Sequence, residues 1–135
     1  MSPHLADTPV LETERLTLRA FDAQDMAAGV TYLMDPRTIY MGGPYTRAAA
    51  WDHCAMLVGH WAIHGFGLFV LCLKDSNEAI GDCGLLMPGG YSEIELGWGI
   101  WHPELEGQGL VREAAEAVRA HAYGAMGLNT LVSYI

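Results

Sequence analysis

Positive charge is scarce in this chain. Seven lysines and arginines stand against 16 aspartates and glutamates in 135 residues, a formal net charge of −9. Such a balance argues against binding nucleic acid or an anionic membrane by bulk charge, which needs clustered basic side chains to displace counterions. Cysteine is sparse: Cys54, Cys72 and Cys83 form no CxxC pair, and an odd number cannot close entirely into intrachain disulfides, which leaves reduced, mostly buried thiols. No apolar run approaches the ~18 residues of a membrane span. Residues 1–9 lack the basic start and apolar run of a secretory leader, so a cytoplasmic protein is expected. Charged residues reach only 17% of the chain, below the usual ~25%. Hydrophobic residues, at 51%, together with 16 glycines, exceed what a lone small domain easily hides. A homo-oligomer is expected from that excess.

The pattern along the chain describes one domain over residues 1–135, without repeats, linkers or low-complexity tracts. Arg15-Leu-Thr-Leu-Arg-Ala-Phe21 alternates, with Leu16, Leu18 and Ala20 on one strand face. Asp22, with Asp25 three residues on, caps a first helix that stops near Asp35-Pro36. Thr46 caps a second, whose stripe Trp51, Cys54, Val58 and Trp61 runs until Gly65. Gly67-Leu-Phe-Val-Leu-Cys-Leu-Lys74 and Ala79-Ile-Gly-Asp-Cys-Gly-Leu-Leu86 flank a polar turn and predict an antiparallel hairpin. A fourth strand is predicted over residues 91–101, with Glu93, Glu95 and Gly97 on one face and Ile94, Leu96, Trp98 and Ile100 on the other. A third helix over residues 110–126 carries the stripe Val111, Ala114, Ala115, Val118 and Ala122, and Thr130-Leu-Val-Ser-Tyr-Ile135 is expected as a fifth strand. The fold class is α+β on a mixed sheet.

The chemistry is expected in the turn Trp101-His-Pro-Glu-Leu-Glu-Gly-Gln-Gly-Leu-Val111. It joins a strand to a helix N-terminus, where backbone N–H groups lack partners and glycines let a ligand approach the main chain. Such a cradle holds a diphosphate without basic side chains, which suits an acidic protein. A Walker loop is ruled out because no Gly-Lys-Ser/Thr follows, and Arg112 stands where Gly-x-Gly-x-x-Gly would need its third glycine.

Five segments in order, Leu11-Glu-Thr-Glu-Arg-Leu-Thr-Leu-Arg19, Trp61-Ala-Ile-His-Gly-Phe-Gly67, Ile80-Gly-Asp-Cys-Gly-Leu85, Glu93-Ile-Glu-Leu-Gly-Trp98 and Glu106-Gly-Gln-Gly-Leu-Val-Arg-Glu-Ala114, resemble the GNAT superfamily of acyl-CoA N-acyltransferases, in particular its ribosomal-protein N-terminal (Rim-type) branch. The resemblance implies a GNAT-like mixed sheet flanked by helices, C-terminally incomplete because relatives continue past the fifth strand. It implies acetyl-CoA as co-substrate, with Glu106, Gly107, Gln108, Gly109, Leu110, Val111 and Arg112 around the pyrophosphate. The family's usual Arg or Gln is here Glu106, and its usual Gly or Ala is Val111. Gly99, Ile100 and Trp101 are implied to pair with the pantetheine as a strand edge does. Glu95 matches the place of a general base, with Glu93 sharing that role or binding the amine. The function implied is transfer of an acetyl group to a primary amine, a protein N-terminus or a small molecule, by direct attack in a ternary complex. The alternative is a non-catalytic acyl-CoA-binding or oligomerising module, dimerising through the last strand edge.

Other constellations are weaker. His53, His60 and His64 fall within roughly 40° on a helix, which suggests a polar face or part of an amine pocket; no metal site is expected, because no acidic or thiol ligand completes a set. Trp51, Trp61, Trp98 and Trp101 stand at core spacing, with Trp101 the expected exception. Arg112 either reaches a coenzyme phosphate or pairs with Glu116 at i+4. Cys83 has no histidine placed to activate it as a nucleophile.

Overall fold

Leu16 and Leu18 alternate with Thr17 and Arg19 and are fully buried, so strand β2 (Leu16–Arg19) forms where the pattern predicts it. The computed structural model describes residues 8–90 and 92–132. Residues 1–7, Tyr91 and residues 133–135 lie outside this description, and with them most of the segment tested for a leader, the start of the predicted fourth strand and the end of the predicted fifth. A two-residue strand, β1 (Leu11–Glu12), pairs antiparallel with β2 and was not predicted, being too short for a period. Helix α1 (Met26–Met34) follows a 3₁₀ turn whose capping box joins Asp22 and Asp25 reciprocally. Asp25 is buried and holds Arg19 through two contacts of 2.8 and 2.9 Å.

Helix α2 (Arg47–His64) begins at Thr46, whose side chain accepts from the Ala49 amide, and ends at the left-handed Gly65. Its buried stripe is Ala50, Cys54, Leu57 and Trp61, while Trp51 and Val58 are exposed. The predicted stripe is thus corrected at two of its four positions. Strands β3 (Leu68–Leu73) and β4 (Ala79–Leu86) form the predicted hairpin, with a register shift between Leu71 and Cys72. β5 (Glu95–Ile100) pairs antiparallel with β4 and begins later than predicted, so Glu93 lies in a bend before it. Helix α3 (Leu110–Tyr123) buries Leu110, Ala114, Val118 and Ala122.

The sheet runs in the order β1-β2-β3-β4-β5, antiparallel throughout. Its mixed character enters at one parallel bridge, Glu95 with Val132, where Leu96 N–H donates to Val132 at 2.7 Å and Val132 N–H donates to Ile94 at 3.2 Å. Two cores cover the two faces. Leu16, Leu18, Phe69, Leu71, Ile80 and Leu85 meet α3 on one side, while Val70, Cys72 and Trp101 meet α1 and α2 on the other. Trp61 and Trp101 are buried and Trp51 and Trp98 exposed, so Trp101 is a core residue and Trp98 the one left open. All three cysteines are free and buried. Among the described residues no helix is long and apolar enough to cross a membrane.

Candidate functional site

The start of α3 is built from the backbone outward. Gly107 and Gly109 have φ of 79° and 78°, the left-handed region that glycine adopts without strain. No side chain caps the helix. The amides of Leu110, Val111 and Arg112 donate to no protein acceptor among the described residues. Three N–H groups therefore point out of a helix N-terminus beside two open glycines, which is the chemistry of an anion site. They border a hollow of about 370 Å³ lined by every expected coenzyme residue except Trp101 and Gln108. Val111 forms part of its wall.

The loop is held from behind. Glu113 in the first turn of α3 accepts from the Arg15 guanidinium at 2.8 Å, from the Arg15 amide at 2.9 Å and from the Thr13 hydroxyl. Burial opposes its ionisation, but these donors outweigh that and hold its carboxyl below the usual range. Arg15 also donates to the Gln108 carbonyl at 3.0 Å. Gln108 thus serves the shape of the loop from outside the hollow. Arg112 pairs with Glu116 at 3.2 Å on an exposed helix face.

Backbone parity decides which part of β5 has a free edge. In an antiparallel pair alternate residues exchange bonds with the same neighbour. The Trp101 amide donates to Ile80 at 2.8 Å and the Leu96 amide to Val132 on the opposite side. Gly99 and Trp101 therefore turn their amides towards β4, and Trp98 and Ile100 turn theirs outward. Of the three residues expected to pair with pantetheine, only Ile100 turns to that edge, its carbonyl 3.5 Å from Arg37 Nη1, and Trp98 joins it. Period-2 reasoning on side chains omits this, because main-chain polarity alternates too.

Arg37, not singled out in the sequence, lies across the same hollow. Its Nη1 meets Glu106 at 3.0 Å, its Nη2 donates to the Trp101 carbonyl at 3.0 Å, and its guanidinium carbon sits 5.5 Å from the Tyr32 ring centre. The carboxylate that departs from the family pattern thus arrives with a cation.

Beyond Tyr32 and Trp98, which line both hollows, opens a cavity of about 580 Å³. Glu95 lines it. Glu93 is exposed and borders a separate hollow beside Leu128 and Asn129, so the two glutamates line different hollows. Instead the second carboxylate of the cavity is Asp82 on β4, which the sequence reading included only within a motif. Burial pushes its pKa up to about 7, against the opposing hydrogen bond from Trp101 Nε1 at 3.3 Å. A side chain at Gly99, cross-strand from Asp82, would come within 2.9 Å of the Tyr32 hydroxyl and 3.2 Å of Asp82 Oδ1, so the missing Cβ is what lets these two groups converge.

His53 also lines the cavity, and burial lowers its pKa. His60 is not on a polar face: it is buried, accepts from the Met87 amide at 2.9 Å and so donates through Nδ1 to the Phe66 carbonyl at 2.8 Å, tying α2 to the end of β4. Burial keeps its pKa low. Cys83 is fully buried with its thiol pushed up to about 12 by that burial. Among the described residues no three His, Cys, Asp or Glu side chains are grouped to hold a metal ion.

The family model for the acetyltransferase (GNAT) domain matches residues 15–135. The chain is 30% identical over 129 residues to an uncharacterized N-acetyltransferase, p20, of Bacillus licheniformis, spanning 90% of this chain and 70% of that one. The crystal structure of an acetyltransferase from Agrobacterium tumefaciens str. C58 superimposes with a TM-score of 0.89 at 34% identity, over all of this chain and 78% of that chain. The ribosomal-protein-S5-alanine acetyltransferase of Vibrio fischeri shares the fold, with a TM-score of 0.62 at 18% identity over 89% of this chain and 70% of its own.

Proposed function

The chain belongs to the GNAT acetyltransferase family, and from that premise we propose that it transfers the acetyl group of acetyl-CoA to a primary amine by direct attack in a ternary complex. The observation that carries this reading is the adjoining of the two hollows, an uncapped helix N-terminus in one and two carboxylates in the other, at Tyr32 and Trp98. The amides of Leu110, Val111 and Arg112 would hold the pyrophosphate, with Gly107 and Gly109 keeping the backbone open. The outward edge of Trp98 and Ile100 would pair with the amides of the pantetheine arm.

The amine must lose a proton before its lone pair attacks the thioester carbon. Glu95 is the acceptor in this reading. A C–N bond forms and the C–S bond breaks; of the two protons that nitrogen loses between ammonium and amide, the first passes through Glu95 to solvent and the second is balanced by the one that the departing sulfur takes. Holding amine and thioester together supplies much of the acceleration, since well-oriented positioning is worth ~7–11 kcal/mol. Association of two chains through the last strand edge is part of the same proposal, and light scattering checks it.

Calorimetry with acetyl-CoA, combined with thiol release across a panel of amines, tests it. Binding with turnover supports the enzyme, binding without turnover supports a non-catalytic acyl-CoA-binding module, and neither removes both. Glu95→Gln should lower kcat at least tenfold with acetyl-CoA affinity unchanged, on the ~10²–10⁴-fold worth of a general base; equal turnover would discharge Glu95 from the role.

A further inference from the structure

Asp82 and Glu95 line one cavity from two separate places. Asp82 lies cross-strand from Gly99, and Glu95 from Leu86. Residues two and four apart on a strand share a face, so Glu95, Gly97 and Gly99 stand in a row with Asp82 beside its far end. Four residues of strand set the two stations roughly 13 Å apart. Side chains stand nearly perpendicular to a sheet, so one nitrogen does not serve both carboxylates. The strand between them is bare: an added Cβ at Gly97 would meet only Leu86, at 3.6 Å, and at Gly99 the missing Cβ leaves room for Asp82 Oδ1 and the Tyr32 hydroxyl.

Asp82 has no cation supplied by the cavity. Its hydrogen bond comes from a neutral donor, Trp101 Nε1, at 3.3 Å. Neither lysine nor arginine lines the space. His53 adds no positive charge at neutral pH, because burial lowers its pKa, and Arg37 is turned away to Glu106 and the Trp101 carbonyl. A carboxylate enclosed in this way is costly to ionise, which is why its pKa rises, and a cation brought to it offsets that cost. The rings of Tyr32, Tyr40 and Tyr45 border the same space; such faces attract an ammonium group and cover methylenes.

We propose that the acceptor carries two ammonium groups: a diamine or polyamine whose reacting nitrogen lies at Glu95 while a second, roughly five methylenes away as the strand spacing requires, is seated on Asp82. This rests on the N-acetyltransferase reading with Glu95 as base. The second charge selects the substrate, and Asp82 is a specificity residue that takes no part in the proton transfer.

The test compares cadaverine, an amine at each end of five methylenes, with hexylamine, in which a methyl group replaces one amine. Both are run on the wild-type protein at pH 8, above the Asp82 value of about 7, by thiol release with acetyl-CoA and by calorimetry. Apolar walls alone would favour hexylamine. The expected result is a kcat/KM for cadaverine about tenfold or more above hexylamine, the worth of one charge-assisted hydrogen bond and beyond the twofold that two equivalent ends supply. An advantage no larger than that twofold, or a preference for hexylamine, overturns the inference while leaving the N-acetyltransferase reading standing. If neither amine is acetylated although acetyl-CoA binds, that reading fails, and calorimetry still decides the seat: tighter binding of cadaverine supports it, and equal or absent binding overturns it. Asp82→Asn should remove the advantage of cadaverine with hexylamine and acetyl-CoA unaffected. An advantage that survives, or an equal loss for both amines, takes the second ammonium away from Asp82.

Discussion

Arg37 and Glu106, 69 residues apart, form an ion pair with Nη1 3.0 Å from Oε1 across the hollow at the start of α3. Under the proposed function Glu106 would set a carboxylate against the coenzyme's phosphates, and Arg37 offsets that charge while bracing the Trp101 carbonyl at 3.0 Å. Removing the arginine exposes the carboxylate. Arg37→Ala should weaken acetyl-CoA binding about tenfold, the worth of one charge-assisted hydrogen bond. Adding Glu106→Gln should recover most of the loss. Calorimetry on both single variants and the double variant checks this as a cycle, and a double variant as weak as Arg37→Ala alone would mean that Arg37 touches the coenzyme itself.

Behind the same loop, Glu113 gathers Thr13 and Arg15 while Arg15 holds the Gln108 carbonyl at 3.0 Å. Glu113→Ala strips three donors of their acceptor and frees the turn. The expected outcome is a raised KM for acetyl-CoA with kcat little altered, and a loss of roughly 1–3 kcal/mol in stability. Urea denaturation beside steady-state kinetics measures both. Because its folded carboxyl lies below the ordinary range, the wild-type contribution is present at neutral pH and is lost as pH falls through the folded value.

Local periodicity made much of this fold legible. Leu16 and Leu18, the hairpin of β3 and β4, and the caps Asp22, Thr46 and Gly65 all stand as their spacing requires. The open, uncapped start of α3 was legible because glycines before a helix leave a local trace. Arg37, Arg15 and Asp82 left none. Their partners lie 69 and 98 residues away, or across a strand, and no period within a window of 18 residues encodes such meetings. On α2 the apolar residues spread around the helix, so Trp51 and Val58 competed with Ala50 and Leu57 for the inward face and only tertiary packing decided. His60 failed similarly: its two ring nitrogens are satisfied by Phe66 and Met87, residues that the sequence gives no reason to place there.

Asp82 carries a pH signature in stability. Its folded pKa of about 7 exceeds the ordinary 3.8 because of burial, so the folded chain keeps this proton to higher pH than the unfolded one. The contribution is fullest below about pH 4 and is lost as pH rises through 7, at no more than about 1.4 kcal/mol per pH unit. Around it stand Tyr32, Cys54, Cys83 and Trp101, none cationic, with Glu95 in the same cavity and Arg37 occupied by Glu106. His53 and His60, whose pKa values burial lowers, act in the opposite sense. The measured quantity is therefore the difference between wild type and Asp82→Asn in urea unfolding from pH 5 to 8. That difference should move in favour of the variant as pH rises; a pH-independent difference would place the charge on Asp82 in water.

Arg19 holds Asp25 through paired contacts of 2.8 and 2.9 Å, and Asp25 in turn accepts from the Asp22 amide at 2.8 Å. The hydrogen bond to Asp25 raises the Arg19 pKa above its ordinary value. Asp25 is buried, so deleting the arginine leaves a carboxylate without its cation. Arg19→Ala should cost about 3–5 kcal/mol, whereas Arg112→Ala, which breaks an exposed pair with Glu116, should cost under about 1 kcal/mol. Similar midpoint shifts for the two variants in urea would contradict the assignment of burial to one pair and exposure to the other.

Gly109 tests the cradle itself. Its φ of 78° is strained for any L side chain, and Gly109→Ala and Gly109→Trp share that strain, of about 1–2 kcal/mol, while differing in bulk. The nearest atom to an added Cβ is Arg15 Nη2 at 3.6 Å, so the methyl group meets no backbone, but an indole extends beyond that space into the hollow or against Arg15. Circular dichroism should be the same for both variants. Acetyl-CoA binding should survive in Gly109→Ala with a loss of tenfold or so and vanish in Gly109→Trp, because the three free amides at the start of α3 act only on a ligand that can reach them. Full affinity in Gly109→Trp would mean that the phosphates bind elsewhere, and the reading of this helix terminus as an anion site would fall with it.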